Sequence, residues 1–199
     1  MKLAIIKYNA GNIRSVLFAL DRIGVQAQVT DDIEEITSAD RVIFPGVGEA
    51  STAMKYLQER KLDEVIKGLT QPVLGVCLGM QLMCRYSEEN DTTCLGIFDE
   101  EVKKFESPSI SQFKVPQIGW NNIYDLKTPL FASVEDGSFC YFVHGYYAAL
   151  GEHTIATTDY IKPYSSGLHK NNFYGVQFHP EKSAMAGQQI LQNFITGDL

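Results

Sequence analysis

Cys77 stands between glycines in Gly75-Val76-Cys77-Leu78-Gly79, directly after the apolar run of residues 72–77. A thiol at the end of a buried strand and the start of a helix has the form of a nucleophile elbow, with Cys in place of Ser. Glycines on both sides permit the sharp turn that lifts such a side chain out of a sheet. The positive end of the following helix favours an anionic sulfur there. The backbone N–H of Leu78, one residue on, would point at a developing oxyanion. A small buried thiol in a glycine-rich turn would leave the same pentapeptide.

A thiolate nucleophile needs a base and a group that orients the base. The chain has four histidines, His144, His153, His169 and His179. His179 stands in Phe178-His179-Pro180-Glu181-Lys182. In an extended segment positions 179 and 181 project to the same side, and Pro180 fixes φ between them. Glu181 would then hold one tautomer of His179 and stabilise its charged form. Alone, the segment reads as a surface turn before a helix; beside the Cys77 elbow, it predicts a Cys-His-Glu triad.

The turn Pro45-Gly46-Val47-Gly48 joins a strand to a helix. Its amides could supply a second oxyanion donor or hold a ligand carboxylate, although by itself it is an ordinary strand-to-helix turn. Gln81 lies one helical turn past Cys77, placed either to offer an amide beside the thiol or to be a plain helix residue. The other cysteines look structural. Cys84 is expected on the same helix against the core, Cys140 in an apolar strand, and Cys94 exposed in a polar loop. His144 interrupts the aromatic run Tyr141-Phe142-Val143-His144-Gly145-Tyr146-Tyr147. The run reads as core packing, though Tyr and the single Trp120 also suit an interface.

The elements that must position these groups follow from periodicity. Residues 3–8, 26–30, 41–45 and 72–77 read as strands, and residues 12–24, 51–69 and 78–86 as helices, the second with a break near Lys61. That alternation implies a parallel sheet with helices on its faces. The second half differs. Residues 96–105, 117–124, 138–149, 153–159 and 166–178 read as strands, the last with a hairpin turn at Asn171-Asn172. Residues 182–195 suit a closing helix, and residues 106–114 a polar surface loop. The expected fold is α/β: three layers, a mostly parallel central sheet with helices on both faces, and added antiparallel strands in the C-terminal half.

Composition bounds the function. A length of 199 residues fits one domain over residues 1–199. Hydrophobic residues at 45% suit a soluble globular chain, which at this size buries roughly 70% of its unfolded surface. No run is long and apolar enough to be a membrane helix, and Lys7 interrupts the N-terminal apolar segment, unlike a signal peptide. The net charge of −7 argues against a phosphate-tracking nucleic-acid binder. The spacing of the four cysteines matches no metal or redox pattern, so free thiols in the cytoplasm, no metal and no cofactor are expected.

Taken together, the motifs resemble those of the class I (triad) glutamine amidotransferases. Gly75-Val76-Cys77-Leu78-Gly79 with Gln81 resembles that family's G-x-C-x-G-x-Q nucleophile signature. Gly175-Val176-Gln177-Phe178-His179-Pro180-Glu181 resembles its histidine–glutamate signature. Within the family the chain is most similar to the glutaminases of histidine biosynthesis. That likeness rests on Gly11-Asn12-Ile13-Arg14-Ser15-Val16, Pro45-Gly46-Val47-Gly48, Pro116-Gln117-Ile118-Gly119-Trp120-Asn121, the aromatic run and Pro180-Glu181-Lys182-Ser183.

The resemblance implies a flavodoxin-like fold and hydrolysis of L-glutamine to glutamate and ammonia. It implies delivery of that ammonia, within a heterodimer, to a separate (β/α)₈-barrel cyclase that forms imidazole glycerol phosphate. It assigns Cys77 as nucleophile, His179 as acid and base, and Glu181 as the group orienting His179. Leu78 and a backbone N–H near Val47 and Gly48 would form the oxyanion hole. Gln81, Gly48, Gly145 and Tyr146 would hold the glutamine α-groups, with Glu89 on the ammonium. The family often has Asp-Tyr-Gly where Lys7-Tyr8-Asn9 stands, a Phe soon after the Pro-Gly-Val-Gly turn where Glu49-Ala50 stands, and Ser or Thr where Gly145 stands. The alternatives are a glutaminase serving another synthase, such as that for anthranilate or pyridoxal phosphate, a stand-alone γ-glutamyl hydrolase of the same fold, and a regulatory subunit without turnover.

Overall fold

The computed structural model describes residues 1–9, 13–106 and 113–199. Gly11 and Asn12, and residues 107–112 of the expected polar loop, lie outside the described residues.

The first half builds a parallel sheet from β1 (Leu3–Ile6), β2 (Gln28–Thr30), β3 (Arg41–Phe44) and β4 (Val73–Val76). Strand β1 pairs in parallel with β2 and β3, and β3 with β4. The crossovers are α1 (Ile13–Arg22), α2 (Ile33–Thr37), and the pair α3 (Ala50–Glu59) and α4 (Leu62–Lys67). Lys61, at φ 58°, makes the expected break between the last two. Helix α2 carries no periodic signal because it has only five residues; Asp32 starts it by accepting a hydrogen bond from Glu35 N–H at 3.0 Å. After β4 comes α5 (Leu78–Met83), which stops short of the expected residue 86.

The second half departs further from the expected strands. A small hairpin, β5 (Tyr86–Ser87) and β6 (Thr92–Thr93), follows α5, and the expected strand at 96–105 shrinks to β7 (Glu101–Lys104). Strand β8 (Gln117–Asn122) pairs with β9 (Phe139–His144) in a separate antiparallel ribbon. The expected strand at 138–149 is therefore two: past Gly145, β10 (Tyr146–Ala148) leaves the ribbon and joins the main sheet beside β7. Then follow β11 (Thr154–Tyr160), β12 (Lys162–Lys170) and β13 (Phe173–Val176), the last two turning at Asn171 with φ 55°. Helix α6 (Ala184–Thr196) closes the chain.

Among the described residues the main sheet has 11 strands in the order β2-β1-β3-β4-β13-β12-β10-β7-β5-β6, with β11 on β12. Strand β13 is parallel to β4, and β12 runs back antiparallel. Both faces are covered. Along β1, Leu3 and Ile5 share one core with Val16 and Leu20 of α1 and Ile190 and Phe194 of α6. Ala4 and Ile6 share the other with Ile36 of α2, Leu57 of α3 and Ile66 of α4. A strand buried on both faces loses the apolar–polar alternation, hence the continuous apolar runs. The strand order reverses between β1 and β3, so chain leaving β1, β3, β4 and β13 gathers at one edge, where open α/β sheets bind ligands. No helix among the described residues is long and apolar enough to cross a membrane.

Candidate active site

The expected nucleophile, histidine and oxyanion segments leave the carboxyl ends of parallel strands, whereas Gly145 lies between β9 and β10 and Glu89 between β5 and β6. Tyr8 follows β1, Pro45-Gly46-Val47-Gly48 follows β3, Cys77 follows β4 and His179 follows β13. Cys77 sits between β4 and α5 at φ 54° and ψ −111°, a backbone conformation that costs a non-glycine residue about 1–3 kcal/mol. Close packing holds it there. A Cβ on Gly79 would lie 1.9 Å from the Phe44 carbonyl oxygen, and one on Gly46 would lie 2.6 Å from Gly79 N. Only hydrogen side chains let the β3 and β4 loops approach this closely.

His179 is buried, with Nδ1 2.9 Å from Oε1 of the buried Glu181. The pairing forms although residue 181 lies in a 3₁₀ turn, Pro180–Lys182, and not in the extended segment expected from the sequence. Burial disfavours the charged imidazole, but hydrogen bonds with Cys77 and Glu181 outweigh it and raise His179 to about 10. The backbone is fixed as well. His179 N–H donates to the Tyr141 carbonyl at 2.9 Å, and the Ser183 hydroxyl donates to the His179 carbonyl at 2.6 Å.

A cleft of about 440 Å³ opens over these groups. Of the expected catalytic, oxyanion and substrate residues, all but Glu181, which lies behind His179, line it. Gln81 Nε2 donates to the Tyr146 carbonyl at 2.9 Å and to Gln177 Oε1 at 2.8 Å. Glu89 Oε2 accepts from Ala50 N–H at 2.8 Å. Burial raises the Glu89 carboxyl, the Ala50 N–H opposes this, and the Glu49 charge adds to it. A ligand cation would relieve that carboxylate.

The turn after β3 is held at several points. The Tyr8 hydroxyl donates to the Pro45 carbonyl at 2.5 Å. Glu49 caps α3. Hydrogen bonds from Ser51 and Thr52, with a further one from Asn90, hold its carboxyl at about 2. Leu78 N–H donates to the Gly46 carbonyl at 3.3 Å. Across a planar trans peptide the C=O and N–H point opposite ways. The Val47 N–H therefore points away from Leu78, and those two N–H groups do not converge in this state.

The remaining histidines and cysteines are not part of the triad, although His144 lines the same cleft. His144 is buried with Nδ1 2.6 Å from the Tyr146 carbonyl, and burial lowers it to about 4. Cys84, just past α5, and Cys140 are buried as expected, but so is Cys94, contrary to its expected exposure. Burial raises Cys94 and Cys140 to about 12 and Cys84 well above its ordinary value. Besides Pro116, Val143 and His144 in the cleft wall, two further residues without an expected role stand at the site. Lys182 lines the cleft, and Gln177 reaches the Cys77 sulfur at 3.7 Å. Both lie in the quoted motifs, but nothing in their spacing distinguishes them from core or surface positions.

Known proteins match over the whole length. The family Glutamine amidotransferase class-I matches residues 5–197. An imidazole glycerol phosphate synthase subunit HisH from Bacteroides fragilis is 59% identical, covering 98% of this chain and 99% of its own. The subunit of the same name from Pasteurella multocida is 47% identical over 97% of this chain and 96% of its own. Among solved structures, a putative GMP synthase subunit from Thermoplasma acidophilum superposes with a TM-score of 0.75 at 19% identity, covering 98% of this chain and 92% of that one. PurLQS from Thermotoga maritima superposes with a TM-score of 0.71 at 15% identity, covering 98% and 97%. Those two establish the fold. The family match over residues 5–197 and the whole-length identities establish that this chain belongs to the class-I glutamine amidotransferase family, in its imidazole glycerol phosphate synthase branch.

Proposed function

We propose that this chain is the glutaminase subunit of an imidazole glycerol phosphate synthase, a single cytoplasmic domain over residues 1–199 that serves histidine biosynthesis. It hydrolyses glutamine and passes the ammonia to a separate (β/α)₈-barrel cyclase subunit. The observation that carries the proposal is the buried His179–Glu181 pair set against Cys77 in a cleft that Gln81 and Glu89 also line.

The chemistry follows from the groups present. Cys77 attacks the glutamine carboxamide carbon as thiolate while His179 holds the proton. The carbonyl oxygen becomes an oxyanion, for which Leu78 N–H and, once its peptide turns, Val47 N–H are the donors. His179 protonates the departing nitrogen, and ammonia leaves a thioester. His179 then takes a proton from water, the hydroxide adds to the acyl carbon, and the C–S bond breaks to release glutamate. Glu181 keeps the imidazole oriented throughout. Glu89 pairs with the substrate ammonium, and Gln81 with the backbones of Gly48, Gly145 and Tyr146 forms the rest of the α-group site.

The β8–β9 ribbon supplies the docking face. Its inward residues Gln117, Cys140, Phe142 and His144 are buried, whereas Ile118 is 64% exposed, Trp120 53% and Phe139 59%. Trp120 packs edge-on against Tyr141 with centroids 5.9 Å apart, and the Tyr141 carbonyl is the one that accepts from His179 N–H. A cyclase seated on this face sits one residue from the triad. The test is reconstitution: a cyclase subunit with its nucleotide should form imidazole glycerol phosphate from ammonium salts alone, but from glutamine only when this chain is added. Equal glutamine-dependent synthesis without the chain would contradict the proposal.

A further inference from the structure

Gln177 follows β13, and its side chain is fully buried between Gln81 and the Cys77 sulfur. Hydrogen-bond logic fixes which end of its amide meets which neighbour. A backbone carbonyl only accepts, so the Gln81 atom 2.9 Å from the Tyr146 oxygen is Nε2. The same nitrogen lies 2.8 Å from the Gln177 side chain, which must accept there through Oε1. Its other end, Nε2, therefore faces Cys77 Sγ at 3.7 Å. The sulfur also lies 3.8 Å from the Val143 carbonyl oxygen. That carbonyl can take a hydrogen bond from a thiol and repels a thiolate. The Gln177 N–H does the reverse.

We propose that Gln177 is a second hydrogen-bond donor, beside His179, that holds the Cys77 thiolate in position to attack and ties it, through Gln81, to the Tyr146 backbone bordering the substrate cleft. This rests on Cys77 being the nucleophile. When the S–C bond forms and the C–N bond breaks, the sulfur loses its charge and the Gln177 bond weakens. When hydroxide adds and the C–S bond breaks, the electron pair returns to sulfur and the bond is restored. Gln177 thus favours sulfur both as attacking group and as leaving group.

The test is the pH dependence of iodoacetamide alkylation of Cys77, the one cysteine that lines the cleft, in the isolated chain, with peptide mass separating it from the other three. Gln177→Glu keeps the acceptor for Gln81 and replaces the donor with an anion. Gln177→Met keeps bulk and removes the donor. The alkylation midpoint should rise by about one pH unit or more in Gln177→Glu, and by less in Gln177→Met. With glutamine, kcat should fall more than KM changes. A purely structural role would lower the melting temperature and leave the midpoint in place. An unchanged midpoint in whichever variant folds overturns the proposal. Alkylation requires no turnover, so a parent protein that alkylates normally but hydrolyses no glutamine would fail the proposed function and still test Gln177.

Discussion

The His179 imidazole meets the Glu181 carboxylate at 2.9 Å with both side chains buried, so the charge on each depends on the other. Burial alone would strip the proton from His179; the bonds with Cys77 and Glu181 instead raise it to about 10. Its folded value thus lies above the unfolded one. The stability it contributes is full below about pH 6.5 and is lost as pH rises through about 10. Glu181→Gln should lower the pH at which His179 loses its proton, as read by NMR of the imidazole, and reduce kcat by about 100-fold. An unchanged titration would contradict the pairing.

Acid should act through a different histidine. Burial holds His144 neutral at about 4, with its Tyr146 hydrogen bond opposing and the His179 charge adding. Its folded value lies below the unfolded one, so stability present above about pH 6.5 is lost as pH falls through about 4, of order 3 kcal/mol. Denaturant unfolding between pH 7 and 4 should show a shallower stability loss in His144→Gln than in the parent. Parallel curves would contradict it.

Gly79→Ala tests the elbow. A Cβ 1.9 Å from the Phe44 carbonyl oxygen must push β3 and α5 apart. The expected cost is at least about 1–3 kcal/mol in denaturant unfolding, together with lost glutaminase activity. Gly145→Ala is the contrast. Its Cβ would meet Pro116 and Val115 atoms no closer than 3.9 Å, so stability should stay within about 0.5 kcal/mol.

The exposed side of the ribbon predicts a split between folding and association. Trp120→Ala removes a half-exposed ring whose main contact is the edge of Tyr141. Stability of the isolated chain should change by about 0.5 kcal/mol or less, whereas cyclase affinity falls by about 2 kcal/mol, measured by calorimetry. Unchanged affinity would move the docking face elsewhere.

The sequence made the site more legible than the fold around it. The glycines flanking Cys77 announce a strained turn, and that turn is found at φ 54°. The apolar runs of β1, β3 and β4 announce strands buried on both faces. What stayed hidden depends on distant partners. Gly145 parts two strands that join different sheets, a fact carried by pairing and not by local pattern. The hairpin β5–β6 and helix α2 are too short for any period to register. Cys94 looks exposed from its polar neighbours and is buried by the fold. Gln177 gains its place from Gln81 and Cys77, neither of which is near it in sequence.

The Leu78 N–H given to the Gly46 carbonyl leaves the Leu78 and Val47 N–H groups apart in the free chain. Turning that peptide is the expected consequence of docking a cyclase that carries its nucleotide. The most direct measurement is glutamate release from glutamine by the parent and by Cys77→Ala, each with and without the liganded cyclase. Slow release by the free parent, a large rise in the liganded complex and none from Cys77→Ala is the predicted result. Equal kcat with and without the cyclase would contradict the coupling, and activity surviving in Cys77→Ala would contradict the mechanism itself.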